Sequence, residues 1–372
     1  MGGVRGMGLK VAPAIVLAII SVVVAACGGT STSPTPAATQ PTSATQAAST
    51  PAAATPTAAG PAAPLTIAIN SLTVGHAVLY VAKAEGYFDQ VGVPVTFLEN
   101  TGNNILNLVV SGQADIGEAN ASNAILATAD GKPMVILYTF QGNGAAGFMI
   151  GAKSVTTVQQ VKRVGAGAPG TGIFGFCNFY KAFLKLSYDC VPVADGPTRR
   201  AQLLSGQIDA VLDTYAQNAD LTDSGQVNVL IDTRKPEVRK QFLGNENSAP
   251  EGTVWAPPQT LQNKKESVTR FMKALGMAMK FLDTATDQQV AQSLRKVPSF
   301  QAFAETLLIT QEKGNRPVNY PNRGYITQAI WENALQTYAQ FGLGSTFDPK
   351  DPKFSFAKIV DMSFYDAGIG KP

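Results

Sequence analysis

One histidine, His76, and three cysteines bound the chemistry open to this 372-residue chain. A catalytic metal centre of several imidazoles and a multi-cysteine zinc site are both excluded. Neither a G-x-S-x-G elbow nor an H-E-x-x-H pair occurs. A Ser-His-Asp triad would have to use His76, and no nucleophile motif recommends it. What the chain offers is small polar clusters just past short apolar runs. Ser71, Thr73 and His76 follow the alternating run 65–70. Glu118, Asn120 and Ser122 follow 115–117, and Gln141 follows 134–139 in a Gly-rich stretch. Gly170, Thr171 and Gly172 follow 164–166, and Asp213, Thr214 and Tyr215 follow 210–212. Such groups either hydrogen-bond a small polar ligand or cap the next helix; for Ser71, Thr73, His76, Asn120 and Ser122 both uses stand open. Glu118 and Asp213, if both face one cleft, favour an amine-bearing or heteroaromatic solute, with Tyr215 or Phe174 as a stacking face. Bare helix N-termini would instead hold an anion without any basic residue.

Gly165 to Gly170 reads G-x-G-x-x-G between a strand and a helix, with Asp195 near the end of the following strand. That context suits a dinucleotide fingerprint. Pro169 alters the loop, and the export signals described below place the chain where nicotinamide cofactors are scarce. No cofactor and no metal are expected. Arg199-Arg200 reads as a solvated helix face; Trp255 either lines the cleft or fills core, with core the favoured reading.

Elements of alternating type must position these clusters. The period-two run at 65–70, with 93–98 and short runs at 115–117, 134–139, 164–166, 190–193 and 210–212, reads as strands; helical patterns lie between them. The result is an α/β chain with mostly parallel sheets. The pattern restarts near 164, and an echo accompanies it. Ser111-Gly112-Gln113-Ala114-Asp115 and Ser205-Gly206-Gln207-Ile208-Asp209 each end a helix and begin a strand, which suggests two similar lobes or a coincidence at a common corner. Val268, Phe271, Met272, Leu275, Met279 and Leu282 share one helical face and read as core. A second helix is expected over 326–341. The C-terminal third is expected to be mostly helical and to pack on the first lobe.

Charge excludes a nucleic-acid partner. Lys plus Arg number 29 against 26 Asp plus Glu, without a basic cluster. Arg5, Lys10 and the apolar run 11–24 read as a signal peptide too short to span a bilayer comfortably. Val24-Ala25-Ala26-Cys27 resembles the bacterial lipoprotein box, which implies lipidation of Cys27; an ordinary signal peptide with an incidental cysteine is the alternative. Two acyl chains suffice for stable anchoring. Residues 28–64 hold only Gly, Thr, Ser, Pro, Ala and Gln. Such a segment cannot bury enough surface to offset ordering entropy and reads as a tether reaching about 35 Å. Cys177 and Cys190 remain. An oxidising compartment favours a disulfide between them, whereas the helical rise between them opposes it; both outcomes stay open.

Ala82-Lys83-Ala84-Glu85-Gly86-Tyr87-Phe88-Asp89, Gly92-Val93-Pro94-Val95 and Ser111-Gly112-Gln113-Ala114-Asp115-Ile116-Gly117 resemble the substrate-binding proteins of ABC importers. The similarity is greatest to the branch handling nitrate, sulfonates, taurine and thiamine-pyrimidine precursors, and it extends from 65 to about 345. It implies a two-lobe type II periplasmic-binding-protein fold with the ligand in the interlobe cleft and chain crossings near 148 and 252. The expected organisation is a signal peptide over 1–26, a lipidated cysteine and tether over 27–64, lobe 1 from 65–148 plus 252–372, and lobe 2 from 149–251. The expected function is that of an extracytoplasmic, membrane-anchored, monomeric binding protein. It would deliver a small organic solute to an ABC permease and would not be an enzyme. Two alternatives share the fold: a ligand sensor for a membrane receptor, and a pyrimidine-precursor synthase. The synthase branch carries a Cys-rich motif that this chain lacks.

Overall fold

A computed structural model describes residues 62–70, 74–100, 103–141, 147–169, 171–193, 195–243, 250–316, 321–340 and 347–372. Ten strands form two five-stranded sheets. The first holds β1 (Leu65–Asn70), β2 (Val95–Asn100), β3 (Ile116–Ala119), β4 (Val135–Gln141) and β10 (Glu251–Ala256), in the order β2-β1-β3-β10-β4. The second holds β5 (Phe148–Ala152), β6 (Arg163–Ala166), β7 (Asp189–Pro192), β8 (Ala210–Asp213) and β9 (Val227–Ile231), in the order β7-β6-β8-β5-β9. The orders are equivalent, with β6, β7, β8 and β9 taking the places of β1, β2, β3 and β4.

The sheets are mixed, and the departure from a parallel arrangement has one cause in each. Pairs β1–β2, β1–β3, β6–β7 and β6–β8 are parallel. β10 runs antiparallel between β3 and β4, and β5 runs antiparallel between β8 and β9. These two are the strands with which the chain enters one sheet after leaving the other. Four strands in each sheet therefore point one way, and the crossing strand points back.

The repeated sequence corner is a repeated structure. Helix Asn103–Val110 leads into Gly112, and helix Gly196–Leu204 leads into Gly206; both glycines have φ of +75°, where a side chain would be strained. Ser111 and Ser205 Oγ each donate to the carbonyl three residues back, at 3.2 Å in both cases. Asp115 Oδ2 accepts from Thr66 N–H at 2.9 Å, and Asp209 Oδ2 accepts from Arg163 N–H at 2.8 Å. Each aspartate thus pins the start of the first parallel strand of its sheet. The motif works at the N-terminal strand ends, opposite to where α/β sheets bind ligands.

Cys177, inside helix Gly172–Phe183, and Cys190, in β7, are bridged with Cα atoms 6.0 Å apart. Helical rise alone is a poor guide here, because the chain doubles back after Phe183 and lays β7 along the helix. The buried Tyr188 fastens the return by donating to the Cys177 carbonyl at 2.9 Å.

The C-terminal third packs on the first sheet. Helix Lys265–Thr284 buries Val268, Phe271, Met272, Leu275, Met279 and Leu282 against helices Ala77–Ala84 and Ser363–Gly368. Helix Gln328–Gln340 buries Trp331 and Tyr338, which donate to the carbonyls of Phe354 and Pro250. Among the described residues no helix is long and apolar enough to cross a membrane.

Helix Glu305–Asn315 packs on helix Asp287–Leu294 and the turn Val74–His76 on one side, and on the turn Ala216–Asn218 and helix Ala219–Asp223 on the other. It carries Glu312, fully buried with neither carboxylate oxygen hydrogen-bonded among the described residues. Burial pushes this carboxyl up to about 7, against the pull of Arg316 and with the help of Asp287. The folded chain therefore keeps a proton that the unfolded chain has released above pH 4.5. Its stabilising contribution is complete below that pH and is lost as the pH rises through about 7. Glu312→Gln should remove this slope and raise stability at alkaline pH by on the order of 3 kcal/mol. Urea melts of both proteins across this range check it, and parallel pH profiles would refute it.

Candidate functional site

The C-terminal strand ends of the two sheets bring His76, Glu118, Asn120, Ser122, Thr171, Gly172, Asp213 and Tyr215 into the described structure. Ser71, Thr73 and Gly170 lie outside the described residues, as does the side chain of Gln141.

Glu118 is the centre of the lobe 1 group. It is the penultimate residue of β3, is fully buried, and accepts from Asn70 N–H at 3.0 Å through Oε2. Asn70 Nδ2 donates back to the Glu118 carbonyl at 3.3 Å, and Tyr80 donates to the Asn70 carbonyl at 2.8 Å. His76 occupies the N-cap position of helix Ala77–Ala84 but makes no cap. Its Nδ1 lies 3.0 Å from Glu118 Oε2, and its ring rests against Phe140, centroids 5.3 Å apart. Glu118 Oε1 and the buried Ser122 Oγ have no hydrogen-bond partner among the described residues. A carboxylate oxygen and a hydroxyl, each withdrawn from water and unused, are costly unless something donates to them.

Asn120 is likewise an N-cap residue that does not cap. Its Oδ1 accepts from Gly252 N–H at 3.4 Å, on the crossing strand β10, while its Nδ2 faces Gly172 of the other lobe. Thr171 does cap: its Oγ1 accepts from Phe174 N–H at 3.3 Å and donates to the Ala168 carbonyl at 2.7 Å. The capping use thus holds for Thr171 and fails for His76 and Asn120.

Two expectations in lobe 2 need correction. Asp213 is buried and engaged: Arg199 Nη2 and Nε donate to its Oδ2 at 2.7 and 3.2 Å, and Thr214 N–H donates to its Oδ1. It does not present a free negative charge to a ligand. Arg199-Arg200 is no solvated face. Arg199 is 4% exposed, and Arg200 pairs with Asp220. A sequence signal existed, since Arg199 lies one helical turn before the buried Leu203 and shares its inward face.

Tyr215 is clamped. Its hydroxyl donates to Asp223 Oδ1 at 2.7 Å, its edge meets Phe148, and the Arg234 guanidinium lies 3.7 Å from its ring centre. Arg234 is in turn held by Asp232 through two bonds of 2.8 Å. Nothing in the local sequence pattern announced Arg234. Asp195, the acidic residue of the dinucleotide-like segment, caps helix Gly196–Leu204 by accepting from Thr198 N–H at 2.8 Å. Trp255 is fully buried with its indole over Gly117, as core. Among the described residues no three His, Cys, Asp or Glu side chains form a metal-holding group.

Asp213→Ala should destabilise the protein by about 3–5 kcal/mol by removing the carboxylate partner of a buried guanidinium. Thr171→Ala should cost about 1 kcal/mol through loss of the cap. Chemical denaturation checks both; an Asp213→Ala protein as stable as the parent would contradict the pairing.

Comparisons with known proteins agree with this architecture. A structure from Bordetella bronchiseptica RB50 superposes with a TM-score of 0.70 at 22% identity, covering 82% of this chain and 96% of that one. The nitrate-binding protein NrtA of Synechocystis PCC 6803 gives 0.61 at 14% identity, covering 83% and 89%. The alkanesulfonate-binding protein SsuA of Xanthomonas axonopodis pv. citri, bound to MOPS, gives 0.58 at 18% identity, covering 77% and 96%. The Synechocystis protein is named as periplasmic, and what the three share with this chain is the α/β two-lobe architecture. No curated protein matches in sequence. The family model described as NMT1/THI5 like matches residues 73–287, more than half of the sequence, so the chain belongs to the NMT1/THI5-like family.

Proposed function

We propose that this protein is the solute-binding component of an ABC importer, anchored outside the cell membrane through a lipidated Cys27 and the tether that follows. Residues 65–148 with 252–372 form one lobe and residues 149–251 the other. A small organic solute bridges them, and the closed, loaded form docks on the permease as a monomer. The protein is not an enzyme in this reading; its work is differential affinity for the closed state.

One observation carries the ligand side of the proposal. At the lobe 1 strand ends, the buried polar atoms left without a hydrogen-bond partner among the described residues include the carboxylate oxygen Glu118 Oε1, the hydroxyl Ser122 Oγ and the imidazole His76 Nδ1. The nearby cations of lobe 2 are taken, Arg199 by Asp213 and Arg234 by Asp232. A solute with an N–H or O–H donor, such as a nitrogen heterocycle or an amine, matches this arrangement better than a bare inorganic anion. An acidic group on the same solute would face the N-terminus of helix Gly172–Phe183. Nitrate and alkanesulfonate, named for two of the structural neighbours, lack such a donor.

The test is a thermal-shift panel on protein stripped of bound solute. It would hold nitrate, alkyl sulfonates, taurine, thiamine pyrimidines, riboflavin and polyamines. A solute at a hundred times its Kd adds about 2.7 kcal/mol of stability. The expected hit carries a donor, and its affinity falls at least tenfold in Glu118→Gln and His76→Ala. A response to nitrate or sulfonates alone, unchanged in both variants, would refute the donor assignment; no response to the panel or to cell extract would refute solute binding.

A further inference from the structure

Helix Glu305–Asn315 and the turn Val74–His76 pack on lobe 2 where the lobes meet, and two of the contacts between the lobes end on a glycine. Tyr215, just past the end of β8, lies against Gly314 of helix Glu305–Asn315, a helix that packs on lobe 1 through helix Asp287–Leu294 and on lobe 2 through the turn Ala216–Asn218 and helix Ala219–Asp223. A methyl group at residue 314 would stand 2.6 Å from Tyr215 Cε1 and 2.8 Å from Cδ1. Asn120, from the end of β3, lies against Gly172 of lobe 2, where a methyl group would stand 2.5 Å from its Nδ2. Carbon atoms in contact sit about 3.5–4.0 Å apart, so neither position accepts a side chain while the lobes are this close.

We infer that Gly314 and Gly172 are positioning residues that set how far the two lobes close, each giving a side chain from the opposite lobe a seat on bare backbone. The inference rests on the two-lobe binding reading but not on any ligand.

The seats differ in stiffness. Tyr215 cannot swing aside, because Asp223 holds its hydroxyl, Arg234 covers its ring and Phe148 meets its edge. An added methyl at 314 must therefore push the helix and lobe 2 apart. Asn120 is held by one long bond to Gly252 N–H and yields more easily. Local propensity runs against a glycine at 314, since glycine is among the poorest helix formers and alanine the best. Gly314→Ala should strengthen the helix by itself while holding the lobes open. Opposite effects on the helix and on the contact separate a positioning role from a folding role.

Hydrogen exchange followed by mass spectrometry on the full chain, without ligand, tests this. Gly314→Ala should raise exchange at least tenfold in peptides covering 214–223, on the lobe 2 side of the contact. Peptides covering 287–294 should keep parental protection. Gly172→Ala should give a smaller rise in the same direction. Adding Tyr215→Ala to Gly314→Ala vacates the ring, lets the methyl fit and should return exchange to within threefold of Tyr215→Ala alone. Unchanged protection over 214–223 in Gly314→Ala overturns the inference. So does a double variant as exposed as the single one, or loss of protection over 287–294, which would mark simple misfolding. Failure of every solute to bind while these patterns hold would count against the ligand reading and leave this one standing.

Discussion

Each sheet is completed by a strand that arrives from the other. β10 fills the gap between β3 and β4, and β5 fills the gap between β8 and β9. Without its crossing strand, a sheet would be split into a parallel core and a stray edge with unpaired backbone groups. The requirement has a geometric consequence. A strand that leaves one sheet at its C-terminal end and enters the next antiparallel brings the C-terminal ends of both sets of parallel strands to the same side. The cleft and the helix N-termini that open on it follow from how the gaps are filled.

The charged groups near the cleft mostly stabilise its walls. Arg199 and Asp213 satisfy each other under the helix Gly196–Leu204, and Arg234 and Asp232 do so beside Tyr215. A buried ion pair such as Arg199–Asp213 contributes little net stability and is costly to break, so it specifies one arrangement more than it strengthens it. Asp115 and Asp209 act at the far ends of the strands, where their carboxylates take backbone N–H groups and fix the start of β1 and of β6. Glu118 differs from all of these. It is fully buried, has one oxygen bonded by Asn70 N–H with His76 Nδ1 3.0 Å away, and keeps the other unused. An incompletely satisfied carboxylate at a strand end is the kind of local conflict that folds retain at functional positions.

Much of the architecture was legible because it depends on periodicity and local chemistry. Apolar alternation marked β1, the inward face of helix Lys265–Thr284 was visible at helical spacing, and the Ser-Gly-Gln-x-Asp echo corresponds to two superposable corners. Those corners need only a glycine at positive φ, a serine hydroxyl and a carboxylate, all within a few residues. The site was less legible. Polar residues past strands were found, but whether each caps or points outward was not. Thr171 caps, whereas His76 and Asn120 occupy cap positions and turn away, drawn by Glu118 in one case and Gly252 in the other.

The sequence alone determined the class of the chain: an α/β body preceded by a charge-free stretch of Gly, Thr, Ser, Pro, Ala and Gln, with a single imidazole in the whole sequence. Those conclusions need only counts, composition and period. Tertiary structure decided which charges are free. Asp213 and Arg199 are fourteen residues apart, and their pairing depends on how a helix folds back over its strand. The Cys177–Cys190 bridge was decided in the same way, by a chain reversal that linear rise along a helix does not register. The seats at Gly172 and Gly314 depend on side chains from the opposite lobe. Contacts between segments distant in sequence follow from packing, and one-dimensional pattern carries no record of what will stand opposite a given residue.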